Sequence, residues 1–259
     1  MKKKPLHSGG FFLCAVFLCL WLPELNAACK SYTSGKPAQV AWVYDGDTLK
    51  LEDGRKIRLI GINTPEMGRD GKSDESGAAD ATRQLQALVD ASDRRLYVRP
   101  GRQKSDRYKR HLAHLYDSQG LSLSEQLLRQ GTGYAIVIPP NLTNLACYAE
   151  AENLARAQSR GVWRRKSVFE AATTLQGQET GFHLLQGRIS RVGKSRRSLW
   201  LDLQQGPSIR IDWSDWKYFK DWDAQALDGR KLEVRGWIYL RKGQQRLQVR
   251  HPASIRWLD

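Results

Sequence analysis

An arginine lies between two acidic residues in one short stretch, which reads VYDGDTLKLEDGRKIRLIGINTPE from Val43 to Glu66. Its apolar alternation and its Asp-Gly pairs predict short β-strands joined by tight turns. Arg58 falls inside the predicted strand IRLIGI, with Asp47 and Glu66 a few residues away on either side. Burying a guanidinium is costly unless it is paired, so the pattern indicates either a structural ion pair or a site for a charged ligand.

This set of residues suits chemistry on a phosphodiester. Hydrolysis of that bond needs a positioned water, a group that orients or deprotonates the water, and cations around a phosphorus that gathers negative charge. Arginine stays protonated, and its planar fork donates two parallel hydrogen bonds to phosphate oxygens. A second arginine, Arg110, begins a predicted strand after the loop RPGRQKSDRYKR, in which Asp106 is the single acidic residue.

Strands and helices that could position these residues are visible in the pattern. Between Gln39 and Tyr116, the strand-like runs are QVAWVY, TLKLE, KIRLIGI, RLYVR and HLAHLY. Helices are predicted in AADATRQLQALVDA, in SLSEQLLRQG, which opens with a capping box from Ser122 to Glu125 and closes on Gly131, and in TNLACYAEAENLARAQSRG. This order fits a small closed barrel of the OB type with helices packed on it, an α+β fold.

Several motifs in this region make it resemble the staphylococcal nuclease (thermonuclease) family. They are DGDT at 45–48, IRLIGINTPE at 57–66, DRYKRHLA at 106–113, LLRQG at 127–131 and SRGVW at 159–163. The resemblance covers residues 39 to 163 and implies an OB-fold barrel with three helices. It further implies calcium-dependent hydrolysis of DNA and RNA by direct attack of water, with products that end in a 3′-phosphate.

The resemblance assigns catalytic roles to three residues. Arg58, in IRL, matches the arginine that contacts the scissile phosphate. Glu66, in TPE, matches the carboxylate that activates or orients the attacking water. Arg110 matches the second catalytic arginine.

Substrate-binding residues follow from the same motif. Arg107 and Tyr108 occupy positions where the family commonly has a lysine and a tyrosine that touch a nucleotide phosphate. Lys109 replaces the glycine that is usual before the second arginine, which alters the local turn and adds positive charge where a polyanion would approach.

The calcium ligands implied by the resemblance include one departure from the family. Asp47, in DGDT, matches one ligand, and the backbone carbonyl of Thr64 matches another. The usual aspartate just before TPE is Asn63 here, so one metal charge is missing while an oxygen ligand remains.

The N-terminus predicts export. A basic MKKK, an apolar run of about a dozen residues that is too short for a comfortable membrane span, and a small-residue PELNAA ending are typical of a secretory signal peptide. Cleavage after Ala27 or Ala28 would leave a secreted or periplasmic chain without a membrane span.

Cysteine usage depends on that cleavage, which would remove Cys14 and Cys19 and leave Cys29 and Cys147. Two cysteines in an oxidising compartment predict one disulfide. Two unlinked thiols, or a lipid-modified Cys29, are the alternatives. Asn26 weakens the lipoprotein alternative, because such signals favour an aliphatic residue there.

The chain is strongly basic, with 42 Lys and Arg against 27 Asp and Glu and a net charge of +15. Removal of residues 1–28 would leave +13. Such a charge favours a polyanionic partner, DNA or RNA among them, although it can also serve solubility. The histidines lack metal-ligand spacing, and no Gly-rich phosphate loop or serine-nucleophile pattern occurs. Asp45 and Asp53 are interpreted as turn residues.

Four regions are predicted: a signal peptide at 1–28, a nuclease-like domain at 29–164, a linker at 165–180 and a small, mainly β, OB-like domain at 181–259. The last region contains five strand patterns and six of the nine tryptophans, namely Trp200, Trp213, Trp216, Trp222, Trp237 and Trp257. These tryptophans either fill a small core or include exposed platforms for base stacking.

A rival hypothesis keeps the barrel but not the catalysis. In it the protein is a nucleic-acid-binding protein whose turnover was lost with the substitution at Asn63. Retention of Glu66 and the two arginines favours an enzyme, because a protein that only binds needs no general base.

Overall fold

The structure, a computed structural model, describes residues 29–68, 71, 73–165 and 168–259. The predicted export signal at 1–28 lies outside the described residues. Within the described part, no helix combines the length and the apolar character that crossing a membrane requires.

Seven strands belong to the N-terminal half. They are β1 (Ala38–Asp45), β2 (Thr48–Leu51), β3 (Lys56–Leu59), β4 (Ile62–Asn63), β5 (Arg95–Ser105), β6 (His111–Tyr116) and β7 (Tyr134–Ala135). Five of them close a barrel in the order β1-β2-β3-β6-β5, in which β3 and β6 run parallel and the other neighbours run antiparallel. The pair β4 and β7 forms a separate two-stranded sheet.

The apolar residues that alternate along the strands point into the interior of this barrel. Leu49 and Leu51 on β2, and Ile57 and Leu59 on β3, are buried in one apolar core. Burial of each such side chain is worth about 1.5–3 kcal/mol relative to exposure.

Helices pack around the barrel, and the third of them ends at Ala157 rather than at the predicted Gly161, which instead begins a 3-10 turn. They are α1 (Ala78–Asp90), α2 (Leu123–Gln130) and α3 (Leu145–Ala157). At the start of α2 the Ser122 hydroxyl accepts the N–H of Glu125 at 3.4 Å, and at its end Gly131 has a left-handed φ of 72°. The predicted N-cap Ser122 and C-terminal Gly131 of α2 are therefore confirmed, but the Glu125 carboxylate accepts from the Cys29 N–H and from Arg129 instead of closing the predicted capping box.

A disulfide ties the first described residue to α3. Cys29 and Cys147 are joined with their Cα atoms 5.2 Å apart, across a sequence separation of 118. The backbone N–H of Cys29 also donates to the Glu125 carboxylate at 3.0 Å. The segment that precedes β1 is thereby fixed to both α2 and α3.

A second barrel follows, and its five strands are connected in the same order as those of the first. Its strands, with the short strands beside them, are β8 (Glu170–Ala171), β9 (Gly181–Lys194), β10 (Ser198–Leu203), β11 (Ser208–Asp212), β12 (Lys231–Arg241), β13 (Gln244–Gln248) and β14 (Ile255–Trp257). Strands β9, β10, β11, β13 and β12 close in that order, and β11 and β13 are parallel. The prediction of an OB-like second unit is confirmed.

The tryptophans of this half divide between core and surface. Most of them pack against the second core, namely Trp213, Trp216, Trp222 and Trp257. Trp200 is half-buried on the outer side of β10, and Trp237 on β12 is 40% exposed.

The segment between the barrels is packed rather than solvated. β8 pairs with β9, and Phe169 is buried in an apolar cluster with Tyr134 and Trp163 of the first half and Leu184 of the second. The ring of Tyr134 stacks on Phe182 of β9 with centroids 5.8 Å apart.

Two ion pairs flank this cluster and connect α3 to β12. Arg235 Nη1 donates to both carboxylate oxygens of Glu152, at 2.6 and 2.7 Å. Arg156 donates to both oxygens of Glu233, at 3.0 and 2.8 Å, and both acids are buried. The two barrels are thus joined by apolar packing and by paired charges.

Candidate active site

The turn between β1 and β2 holds two buried acids. The Asp45 carboxylate accepts the backbone N–H of Asp47 at 3.1 Å. Gly46 is pressed against α1, so that a Cβ on it would lie 2.5 Å from the Cβ of Ala81 and 2.8 Å from Thr64 Oγ1. Only glycine fits there, and the DGD sequence is therefore required by packing as well as by charge.

Asp47 is held by donors on both of its oxygens. Thr48 Oγ1 donates to Oδ1 at 3.0 Å, and the N–H of Thr64 donates to Oδ2 at 3.0 Å. Arg58 Nη2 also lies 3.0 Å from Oδ2. Burial, followed by the neighbouring charge of Asp47, raises the pKa of Asp45, so this turn carries closely spaced negative charge.

The Arg58 guanidinium, although buried, is surrounded by acceptors. Nη1 donates to the carbonyls of Leu59 and Ile62, both at 2.7 Å. Nη2 donates to Asn63 Oδ1 at 2.9 Å and lies in an ion pair 3.0 Å from Asp47 Oδ2. The three hydrogen bonds and the ion pair all involve Nη1 and Nη2, and among the described residues the Nε–H makes none of them, so it remains for a ligand oxygen. The arrangement explains how an arginine is tolerated between apolar faces.

The segment after Arg58 is fixed by β4 and β7. Ile62 pairs with Ala135 and Asn63 pairs with Tyr134. Asn63 and Thr64 are both buried, and each is bonded to the network around Arg58 and Asp47. The structure thus brings together the residues predicted to bind metal and Arg58, the arginine predicted to contact the scissile phosphate.

Glu66 follows at the solvent-facing edge of the same segment. Its backbone N–H donates to the Glu75 carboxylate at 3.0 Å. Partial removal of its carboxylate from water, together with the negative charges of Asp47 and Asp45, raises the pKa of Glu66 to about 6, against the opposing charge of Arg58. A carboxylate with that pKa is ionised at neutral pH and is basic enough to accept a proton.

Arg110 lies in a different loop, between β5 and β6. Its Nε donates to Asp106 Oδ2 at 2.7 Å, and its guanidinium carbon is 5.5 Å from the centre of the Tyr108 ring. Arg107 Nη2 donates to the Tyr108 hydroxyl at 2.6 Å. Lys109 has a left-handed φ of 62°, where glycine is unstrained, and a non-glycine residue there costs about 1–2 kcal/mol.

The predicted residues therefore form two groups. One contains Asp47, Arg58, Asn63 and Thr64, with Glu66 coupled to it by charge. The other is the loop of Arg107, Tyr108, Lys109 and Arg110, and among the described residues Arg110 makes its ion pair with Asp106 rather than with the first group.

The sequence interpretation missed one member of the first group. Asp45 was assigned to the turn alone, yet it is buried and its charge acts on Glu66. Two acids separated by one glycine, in a turn too tight for any side chain, are the signal that could have identified it.

The donor set of the first group fits a hard divalent cation. Asp45 and Asp47 offer carboxylate oxygens, Asn63 an amide oxygen and Thr64 a carbonyl, and oxygen ligands of this kind are those that calcium prefers. Elsewhere in the described chain, Cys29, Glu125 and Cys147 approach one another with metal-like spacing, but both sulfurs are committed to the disulfide.

Known proteins resemble the first half of the chain. Residues 56–165 match the family model described as staphylococcal nuclease homologue. An uncharacterized protein of Bacillus anthracis is 30% identical over 136 residues, which are 51% of this chain and 63% of that protein. The matched part thus spans less than two thirds of the Bacillus protein.

Two further relatives come from Escherichia coli, one of them from the O157:H7 strain. Each bears the name uncharacterized endonuclease and is 29% identical over 129 residues. The match covers 48% of this chain and 75% of each relative.

Proposed function

Because the chain carries a staphylococcal nuclease domain over residues 56–165, we propose that it is a calcium-dependent nuclease that hydrolyses phosphodiester bonds of DNA and RNA. The products would end in a 3′-phosphate, and the protein would act outside the cytoplasm, secreted or in the periplasm. The endonuclease names of the Escherichia coli relatives agree with the reaction class.

One observation carries the proposal. A buried arginine and a buried aspartate are bonded to each other, and a carboxylate whose pKa is raised to about 6 lies beside them. A purely structural ion pair needs no such carboxylate at the solvent edge. A phosphodiester hydrolase needs both a cation for the phosphate and a base for the water.

In the proposed mechanism, Glu66 accepts a proton from a water that attacks phosphorus. The bond between phosphorus and the 5′-oxygen breaks, the departing 5′-oxygen takes a proton from solvent water, and the phosphate stays on the 3′ side while the other fragment ends in a 5′-hydroxyl. Arg58, through Nε–H, and Arg110, after exchange of its bond to Asp106, donate to the phosphate oxygens as negative charge develops. Arg107, Tyr108 and Lys109 provide further phosphate contacts.

Calcium, when bound, would supply positive charge that stabilises the phosphate oxygens. Asp47, Asn63 and the carbonyl of Thr64 are the residues that would hold it, and Asp45 offers a second carboxylate in the same donor set. The amide of Asn63 lowers the charge of this donor set relative to a site with a third carboxylate.

Export is supported by the basic and apolar N-terminal sequence and by the disulfide, because disulfides persist in oxidising compartments. Expression with the N-terminus intact, followed by mass measurement of the periplasmic protein, would test the site of cleavage.

The catalytic proposal is tested by incubating purified protein with plasmid, single-stranded DNA and RNA, in calcium or in chelator. We expect cleavage of all of them in calcium, with 5′-hydroxyl ends that polynucleotide kinase labels without prior phosphatase treatment. Glu66→Gln should lower turnover by about a hundredfold or more, since general bases typically contribute 10²–10⁴-fold.

Glu75→Gln is the matched control. It removes a carboxylate next to Glu66 but leaves an oxygen that can accept the Glu66 N–H. Turnover that falls equally in both variants would contradict the role of Glu66. Tight binding of DNA without cleavage by the unmodified protein would instead support the non-catalytic hypothesis.

A further inference from the structure

The second barrel carries an unusual aromatic residue on its outer surface. Trp200 lies in the middle of β10, opposite Gly193 on β9 and Arg210 on β11. Gly193 has no side chain to cover the ring, and the indole N–H donates to Ser195 Oγ at 3.1 Å. The ring is therefore held in place by a bond at its edge while it remains half-buried rather than enclosed.

Two arginines flank this ring. The guanidinium carbon of Arg246, on β13, is 4.8 Å from the ring centroid, and that of Arg210 is 5.9 Å from it. Arg210 is neutralised by Asp212 at 2.7 Å. Arg246 bonds only to the neutral amide of Gln244 among the described side chains, so its charge is available to a ligand.

Basic loops bound this surface at both ends. Because β10 is antiparallel to β11 and β13 is parallel to β11, the β9–β10 loop and the β12–β13 loop lie at opposite ends of these strands. The first loop, together with the last residue of β9, carries Lys194, Arg196 and Arg197. The second loop, together with the last residue of β12, carries Arg241 and Lys242, and all five side chains are exposed.

The acids of this surface do not cancel that charge. Asp202 is paired with Arg191 at 2.7 Å, and Asp212 with Arg210. Within the described part of the chain, no ion pair involves the five basic loop residues or Arg246. The surface thus combines an aromatic platform with unpaired cations on either side.

We propose that the second barrel binds single-stranded nucleic acid across β10, β11 and β13, with a base stacked on Trp200 and the neighbouring phosphates on the two basic loops. This is the face of an OB barrel to which oligomeric ligands bind. Phosphates, unlike neutral sugars, match the excess of cations. Stacking requires an exposed base face, which a duplex does not offer, so single strands are preferred.

The site is separate from the catalytic group, and its use to retain long substrates rests on the proposed nuclease function. A strand held on the second barrel would raise the local concentration of substrate near the first. Affinity for long strands would then depend on Trp200, while turnover of a substrate too short to reach it would not.

The test measures binding of a fluorescein-labelled oligothymidylate of about 20 nucleotides to the full chain in chelator, by anisotropy. Trp200→Ala should weaken binding by about 5- to 100-fold, in line with the loss of one stacked base. Trp257→Ala is the matched control. Trp257, on β14, is also a half-buried tryptophan, and the guanidinium carbon of Arg230 lies 4.2 Å from its ring centroid.

A second variant guards against misfolding of Trp200→Ala. Lys242→Gln combined with Arg246→Gln changes no apolar core residue. The slope of the logarithm of the binding constant against the logarithm of salt concentration should become shallower by about 1 to 1.5 in this double variant. Lys231→Gln, an exposed lysine at the start of β12, should leave it unchanged.

Several results would overturn the proposal. They are wild-type affinity in folded Trp200→Ala, an unchanged salt dependence in the double variant, or equal affinity for single strand and duplex. Hydrolysis of a thymidine nitrophenyl phosphodiester should stay the same in all these variants. If the unmodified protein cleaves neither long nor short substrates, the nuclease proposal fails, while the binding measurement still decides this one.

Discussion

Individual buried polar side chains in the first barrel are fixed by several partners at once. Arg58 shows the principle, because two backbone carbonyls, an amide and a carboxylate share its donors. A lysine has only three donors on one nitrogen and could not satisfy this set. Two buried residues of this barrel, Asn63 in the Arg58 network and His114 outside it, give distinct predictions.

The first prediction concerns Asn63, the departure from the family pattern. Calcium affinity rises with the number of carboxylate ligands, so Asn63→Asp should lower the calcium concentration needed for half-maximal activity. The rate at saturating calcium should change less, because Arg58, Glu66 and Arg110 are retained. A calcium titration of cleavage measures both quantities.

Gln158→Glu is the control for charge, since it adds a negative charge at the exposed end of α3. An equal shift in both variants would mean a general electrostatic effect. A raised or unchanged calcium requirement in Asn63→Asp would mean that Asn63 is not a metal ligand.

The second prediction concerns His114, which is buried on β6. Burial, and then the positive charge of Arg99, lower its pKa to about 4, and Nδ1 bonds to the Tyr148 hydroxyl at 2.8 Å. Because the unfolded chain takes up this proton near pH 6.5 and the folded chain only near 4, the unfolding free energy falls as pH decreases between these values. The loss attributable to His114 should approach about 3 kcal/mol.

Urea unfolding at a series of pH values checks this, with the His114→Gln variant showing a shallower decline. His111→Gln, an exposed histidine on the same strand, should retain the full slope. A slope that His114→Gln leaves unaltered would remove the histidine as its cause.

At the scale of elements, the two-residue strand β7 connects the group of Asp47, Arg58, Asn63 and Thr64 to the second barrel. Its Ala135 N–H donates to Glu152 at 2.8 Å, and its carbonyl accepts from Arg235 Nη1 at 2.9 Å. Since β7 pairs with β4, which contains Asn63, the second barrel helps to hold the segment on which the site is built.

We therefore expect Arg235→Met to affect both stability and turnover. Removal of one partner from a buried ion pair typically costs about 3–5 kcal/mol, and Glu152 would be left without its charge partner. Turnover should decline at temperatures where the variant is still folded, because β7 and β4 lose a support. Thermal unfolding and steady-state kinetics measure the two effects.

The double variant Arg235→Met with Glu152→Gln provides the comparison. It neutralises the unpaired Glu152, but the hydrogen bond from Arg235 to the Ala135 carbonyl is still missing. Stability should therefore recover more than turnover. Full recovery of both would show that β7 needs no support from the second barrel.

These elements also show what local sequence can predict. The ends of α2 were predictable because Ser122 and Gly131 act within one helical turn. The barrels were predictable because strand alternation and the motif order agree. Strands β4 and β7 were not, because each has two residues and Asn63 meets Tyr134 only after the chain has folded. For the same reason, residues 165–180 are predicted to be a linker although Phe169 within them is buried. Its burial depends on contacts with both barrels, which the local sequence does not show.

At the scale of the whole molecule, Glu233 is the most strongly bound acid of the junction. It is 3% exposed, and it accepts from Arg156, Arg256 and Gln186. Burial alone would raise its pKa, but these hydrogen bonds outweigh burial and lower it to about 2. The ionised carboxylate thus stabilises the docked arrangement of the two barrels.

The corresponding prediction is that Glu233→Gln lowers the unfolding free energy at neutral pH by about 3 kcal/mol. In the unmodified protein this contribution is complete above about pH 4.5, the ordinary value, and is lost as pH falls toward 2. Differential scanning calorimetry at pH 7, 4 and about 2.5 should show the two proteins converging in acid.

Glu150→Gln, on the same helix α3, is the control and should follow the unmodified protein. A gap between Glu233→Gln and the unmodified protein that persists undiminished in acid would assign the loss to packing rather than to charge.

The order of charges at the junction has a consequence for domain shuffling. On α3 an acid precedes an arginine by one helical turn, namely Glu152 and Arg156. On β12 an acid precedes an arginine by two residues, namely Glu233 and Arg235. Each acid meets the arginine of the other unit, so the pairing is reciprocal and has a direction. A foreign barrel grafted in place of the second, with these two residues exchanged, would set acid against acid and arginine against arginine. The order of acid and arginine at two positions in each unit therefore decides whether two such units are compatible. A chimera can be checked for this order from its sequence before it is made.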